Sequence, residues 1–201
     1  MVNYSNNAIS IGADGSLVQN DSGWDDLRFP FIGRNIDVAS GRIGYDYAEL
    51  GINFADNSRY AATEQVSMIC QLAHSYKLES PVTPHLHWAQ SSADIPNWLF
   101  VYRKYLNGAA VPGGWVEAIL SSHVHTYTAG TILQLSTFPA IDMSGMTDLS
   151  GFIDCKLFRD TLNTSTLFGG ADPLAGNALV KEFDIHFQQD TPGGSAQELV
   201  K

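Results

Sequence analysis

Charge is scarce in this sequence. Only 16% of its 201 residues are Asp, Glu, Lys or Arg, against about 25% in a typical soluble domain. Many exposed positions must therefore be Ser, Thr, Asn, Gln or Gly, a surface that suits a protein packed against neighbours. Positive charge is scarcest: 11 basic residues face 21 acidic ones, for a net charge of −10. An acidic surface repels polyanions, so neither nucleic acid nor an anionic membrane is an expected partner. Cysteine is nearly absent. Cys70 and Cys155 are too few for a disulfide framework and are expected as two small core residues, with a single bridge between them left open. No run approaches the ~18 apolar residues that span a bilayer as a helix. The first residues, Met1-Val-Asn-Tyr-Ser-Asn-Asn7, have neither the basic start nor the apolar stretch of a secretion signal, so synthesis in a cytoplasm is expected.

Long 3.6-residue periodicity is lacking too, and period-two alternation takes its place. Val66, Met68, Cys70 and Leu72 alternate with Gln65, Ser67 and Gln71. Leu86 and Trp88 alternate with His85 and His87, and the run Trp98 to Leu106 begins apolar on both faces, as a central strand does. Further strands are expected at Trp115 to Leu120, Ile132 to Phe138, Leu149 to Phe158 and Leu179 to Gln189. In the last, Leu179, Phe183, Ile185 and Phe187 form the expected core row, broken only by Lys181. Val180, Glu182, Asp184, His186 and Gln188 form the wet row. Between Phe31 and Ser58 the glycines predict loops with short strands, and only the segment Thr137 to Met146 could hold a helical turn. With the short alternating piece Ala8 to Ala13 there are eight or more strands, separated by turn signals. That pattern predicts an all-β fold: a single jelly-roll-like antiparallel β-sandwich over residues 24–201, with an extended N-terminal arm at residues 1–23. Trp24, Leu27 and Phe29 are the expected anchors of the arm. The Cys-Trp-Cys arrangement of an immunoglobulin core is absent.

Five of the six histidines fall in alternating motifs: His85-Leu-His87, His123-Val-His125 and Asp184-Ile-His186. Residues two apart on a strand share a face, so each motif projects two polar groups together. Were a metal bound, His85, His87, Asp184 and His186 would be its ligands. A cupin-like site would need an acid soon after its His-x-His strand, and here the first is Asp94. The expectation is therefore hydrogen-bonded surface or interface histidines, with no cofactor. Nor is there a Gly-x-Ser-x-Gly elbow, a phosphate-cradling Gly-rich loop or a His-Glu-x-x-His helix. The acids Asp25, Asp26, Asp154 and Asp160 have no catalytic partner in sequence. The expected class is non-enzymatic. Trp24, Trp88, Trp98 and Trp115 could stack on sugars, though core or interface positions account for them more simply.

Three segments together resemble a family of small virion proteins of tailed bacteriophages. They are Trp24-Asp-Asp-Leu-Arg28, the run from His74-Ser-Tyr-Lys77 to Pro84-His-Leu-His-Trp88, and Glu182-Phe-Asp-Ile-His-Phe-Gln-Gln-Asp-Thr191 with Gly194, Ser195 and Glu198 after it. In that family a Trp-x-Asp-Leu-Arg start, a Pro-His-x-His-Trp strand and an Asp-x-His-Phe-Gln-x-Asp strand recur. The resemblance spans Trp24 to Lys201. This chain departs at Gly193-Gly194-Ser195, where the family pattern has one Gly before the Ser. The resemblance implies a virion structural protein made in the host bacterial cytoplasm. Its foremost implied role is a homotrimeric head decoration or cement protein on the capsid surface, bound across capsomers of the same phage's major capsid protein. It implies interface roles for Trp24, Asp25, Arg28, His85, His87, Glu182, Asp184 and His186. A tail-fibre or appendage module that binds a receptor or glycan is the alternative, and a cupin-like metal-dependent enzyme a remote one.

Overall fold

The computed structural model describes residues 9–11, 17–19, 23–30, 43–46, 49–61, 64–90, 92–106, 108–120, 122–123, 132–147 and 151–189. All its regular elements are strands: β1 (Ile9–Ile11), β2 (Leu17–Gln19), β3 (Gly23–Pro30), β4 (Ile43–Asp46), β5 (Gly51–Phe54), β6 (Val66–Gln71), β7 (Thr83–Gln90), β8 (Trp98–Tyr105), β9 (Val116–Ile119), β10 (Ser122–His123), β11 (Ile132–Thr137), β12 (Phe152–Arg159) and β13 (Ala178–Gln189). β1 and β2 pair with each other. The remaining strands build a sandwich of two antiparallel sheets. One has the order β10-β11-β7-β13-β5-β4, with β3 also on β13, and the other has the order β6-β12-β8-β9. The chain crosses between sheets at β5–β6, β6–β7, β7–β8, β9–β10, β11–β12 and β12–β13, a jelly-roll-like interleaving. The segment that could have held a helical turn carries only a hydrogen-bonded turn at its end, from Met146 N to Met143 O.

The alternation seen in the sequence explains the core. β6 buries Val66, Met68 and Cys70 and leaves Ser67, Ile69 and Gln71 exposed. β12 adds Ile153, Cys155 and Leu157, and β8 adds Trp98 and Phe100. From the other sheet come Leu86 and Trp88, Ile52 and Phe54, Phe29, and Phe183, Ile185 and Phe187. Trp88 meets Trp98 edge-on at 6.0 Å, and Phe100 stacks on Phe183 at 5.4 Å across the sandwich. Cys70 and Cys155 are free thiols on neighbouring strands, with sulfurs 3.8 Å apart, far beyond the ~2.05 Å of a disulfide. Burial, first, pushes the Cys155 thiol well above its ordinary pKa.

β13 is the organising element. It runs beside β7 along its length, while its other edge is shared by β5 at Ala178–Val180 and β3 at Glu182–Gln189. The register against β7 slips between Val180 and Glu182, so Lys181 is an extra residue, a β-bulge. This overturns part of the sequence reading. Before the bulge Ala178 and Val180 face the core, and after it Phe183, Ile185 and Phe187 do. Leu179, expected in the core row, is only half-buried and lies outside, and Val180, expected outside, is fully buried. The apparent break at Lys181 is the point where the alternation changes phase. The bulge also brings the chain close to Gly51, where a Cβ would meet the Val180 carbonyl oxygen at 2.6 Å. Lys181 Nζ donates to the Glu49 carbonyl.

β11 inverts the usual rule. Its inward residues are Gln134 and Ser136, both fully buried, while Leu133 is 55% exposed and Leu135 half-buried on the outer side. The buried hydroxyl is satisfied, since Trp88 Nε1 donates to Ser136 Oγ at 2.9 Å. A chain that buries Gln and Ser while turning Leu outward is shaping its exterior.

Candidate functional site

Trp24–Arg28, Pro84–Trp88 and Glu182–Gln189, drawn from the three segments singled out in the sequence, fold side by side. β3, β13 and β7 are neighbours, and the register sets Asp26 opposite His186, Arg28 opposite Asp184, and Asp184 opposite His85. Facing residues of an antiparallel pair point to the same side. Leu27 and Phe29 of β3 pack inward, so Trp24, Asp26 and Arg28 point outward with His85, His87, Glu182, Asp184 and His186. The outer wall of the larger sheet thus gains a cluster of imidazoles and carboxylates.

Its centre is Asp184, 2% exposed beneath the histidines. Its Oδ2 lies 3.0 Å from His87 Nε2, which donates to it. That hydrogen bond, before any other influence, raises the His87 pKa. Its other oxygen, Oδ1, is buried without a hydrogen-bond partner among the described residues. His85 Nδ1 lies 3.6 Å from that oxygen and 3.1 Å from His186 Nε2. The His85 and His186 rings meet at 66° with centroids 3.8 Å apart. Burial, and then the neighbouring His186, lowers the His85 pKa. On the far side, His186 Nε2 is 2.8 Å from Asp26 Oδ1, and Arg28 reaches Asp26 at 3.6 Å.

Each expected site residue is thereby placed. His85, His87, Asp184 and His186 meet as one cluster, and Glu182 lies opposite His87 on the same face. Trp24 and Arg28 flank the cluster. Trp24 is 59% exposed, whereas Leu27 and Phe29 pack against the core. Asp25 lies on the opposite side of β3, exposed, and accepts from Gln189 Nε2 at 2.7 Å. The sequence reading missed Asp26 as a site residue. Period-two counting from Leu27 and Phe29 was the signal, since it sends Asp26 outward and Asp25 inward. In the third histidine motif, the side chain of His123 and all of His125 lie outside the described residues.

The tryptophans divide. Trp88 and Trp98 are fully buried and closed to any ligand. Trp115 borders a shallow recess of about 230 Å³ on the smaller sheet, with Tyr60, Lys156 and Phe158. Arg103 and Lys156 already lie over its ring, at 4.3 and 4.1 Å. Of the four, Trp24 is the freely exposed ring.

Among known proteins, no family model and no curated protein matches the chain. Among solved structures the chain is similar to a xylan-binding module, CBM15, over 84% of its own length and 100% of that chain, with 14% identity and a TM-score of 0.40. At that level the likeness carries no argument about this chain.

Proposed function

We propose that this chain is a structural subunit of a bacteriophage virion: a homotrimeric head decoration or cement protein that works by contact and performs no reaction. The observation behind this reading is the inverted strand β11. Leu133 and Leu135 lie opposite Ala89 and His87, and Leu179 lies opposite Ala89 from the other side. The outer wall therefore carries an apolar strip of Leu133, Leu135, Ala89 and Leu179 running into the polar cluster of His85, His87, Glu182, Asp184 and His186. Trp24 and Arg28 lie at its far side. An apolar strip rimmed by polar groups is the anatomy of a protein–protein contact. Trp24–Arg28, Pro84–Trp88 and Glu182–Gln189 of the three family-like segments lie side by side in the sheet that forms this wall, and the weakly charged surface fits a subunit that packs against neighbours. A trimer presenting three such walls would multiply modest contacts into firm attachment.

The test is assembly. Native mass spectrometry of the purified chain is expected to show a trimer, and the chain is expected to co-sediment with capsids of its phage. Removing it should lower the temperature at which those particles release DNA. A monomer that ignores the particles would end this reading. A glycan-binding appendage module is the second reading, favoured by the exposed Trp24 beside the polar cluster; glycan-array binding abolished by Trp24→Ala would replace the first reading with it.

A further inference from the structure

Going beyond the assembly role, we infer that His85 Nδ1, Asp184 Oδ1 and His186 Nε2 form a binding site for a divalent first-row transition metal, zinc by ligand type. The three residues come from two adjacent strands, and one ligand atom of each lies within 4.8 Å of the others. Hydrogen bonding alone does not satisfy them. A ring nitrogen carries either one hydrogen or one lone pair, yet His186 Nε2 is approached by both His85 Nδ1 at 3.1 Å and Asp26 Oδ1 at 2.8 Å. Whichever it serves, Asp184 Oδ1 stays buried and unpartnered. An orphaned buried carboxylate oxygen costs about 1–3 kcal/mol or more. A cation between these atoms accepts a lone pair from each.

The spacing and chemistry agree. Ligands about 2.0–2.1 Å from a tetrahedral zinc lie about 3.3 Å apart, and the His85–His186 and His85–Asp184 separations are 3.1 and 3.6 Å. Two imidazoles and a carboxylate suit zinc and its neighbours better than magnesium or calcium, which favour all-oxygen shells. Asp26, on the third strand and partly exposed, is the carboxylate at hand for the remaining position, and with Asp184 it would balance a dipositive ion. His87 acts one step out. Its Nε2 donates to Asp184 Oδ2 and so aims Oδ1 at the site, as outer-shell partners of metal ligands do. With Asp26 engaged, the ion would tie β3 to β7 and β13 and fix the wall on which the apolar strip lies.

The full chain, stripped with EDTA and dialysed, would be titrated with zinc chloride by calorimetry, with bound metal counted by mass spectrometry. About one equivalent is expected, with a rise in Tm. Asp184→Asn keeps the shape and the acceptor for His87, and His186→Gln changes a partly exposed side chain. Each is expected to weaken zinc binding at least 100-fold while leaving the metal-free urea midpoint near that of the parent. His87→Ala is expected to weaken it about 10- to 100-fold. Cobalt(II) should give a visible spectrum without a thiolate charge-transfer band, separating this site from Cys70 and Cys155. Less than ~0.1 equivalent bound at stoichiometric zinc, a thiolate band, or unchanged binding in Asp184→Asn and His186→Gln would each overturn the inference. It does not depend on the assembly role: a zinc-binding chain that ignores capsids would leave it standing.

Discussion

Asp160 follows β12 with no exposed surface, and its carboxylate accepts four hydrogen bonds. Thr164 N and Oγ1 bind one oxygen at 2.9 and 2.7 Å, and Ser165 N and Oγ bind the other at 2.8 and 2.7 Å. Burial alone would raise its pKa; the bonds from Ser165 and Thr164 outweigh that and hold it below the ordinary value. A depressed carboxyl contributes stability that is complete above its unfolded pKa and is lost as pH falls through the folded one. Asp160→Asn keeps one acceptor and loses the other, stranding donors from Ser165. It should cost about 2 kcal/mol at pH 7. Urea midpoints measured from pH 7 down to pH 3 should show the gap between parent and variant closing below about pH 4. A constant gap would mean that charge is not what the loop reads. Nothing in the sequence marked Asp160 for this work, because its donors follow in a loop with no periodicity to read. The pairing of His85 and His87 on one face was legible, since two-residue spacing suffices for it. That His186 and Asp184 would face them was not, because strand order is a long-range property.

At the scale of elements, β13 shows how one residue resets a pattern. Ala178 and Val180 point inward before Lys181, and Phe183, Ile185 and Phe187 point inward after it. Deleting Lys181 would leave 178, 180, 183, 185 and 187 on one face of an unbroken strand. Inserting one alanine between Asp184 and Ile185 would instead send Ile185 and Phe187 outward and His186 into the core. Each buried side chain of that size contributes roughly 1.5–3 kcal/mol, and an unpaired imidazole in the core adds a penalty. The deletion is expected to retain cooperative urea unfolding followed by tryptophan fluorescence, and the insertion to lose it. If both behave alike, the bulge is not what sets the register. The sequence reading registered Lys181 only as a polar break, because a bulge and a solvated lysine look the same until the partner strand is known.

For the whole molecule the question is which surface meets other subunits. Two of the exposed apolar surfaces among the described residues can be compared: the open edge at β9, with Val116 50% and Ile119 38% exposed, and the outer wall of the larger sheet, with Leu133 55% exposed. β9 is four residues long, and its Glu117 accepts from Tyr60 OH at 2.6 Å. Short, charged edges are how sheets avoid pairing with strangers. On the wall, the strip of Leu133, Leu135, Ala89 and Leu179 holds no charged side chain within it among the described residues. Leu133→Asp is therefore expected to convert the proposed trimer to monomer without lowering the monomer's Tm by more than a few degrees, and Val116→Asp is expected to leave the trimer intact, both read by sedimentation velocity. The reverse pattern would move the contact to the β9 edge.

Local alternation of apolar and polar residues determined, by itself, that this chain forms strands with one apolar face each, and so an all-β sandwich or barrel, because a half-apolar sheet must cover that face. It also determined that His85 and His87, and Asp184 and His186, would leave their strands as pairs. Only the tertiary structure decided that β3, β7 and β13 would be neighbours, which brings Asp26 to the histidines, and that β11 would wear its leucines outside. Those outcomes depend on register and strand order. Register and order are set by the summed packing of residues far apart in the chain, so no window of sequence contains them.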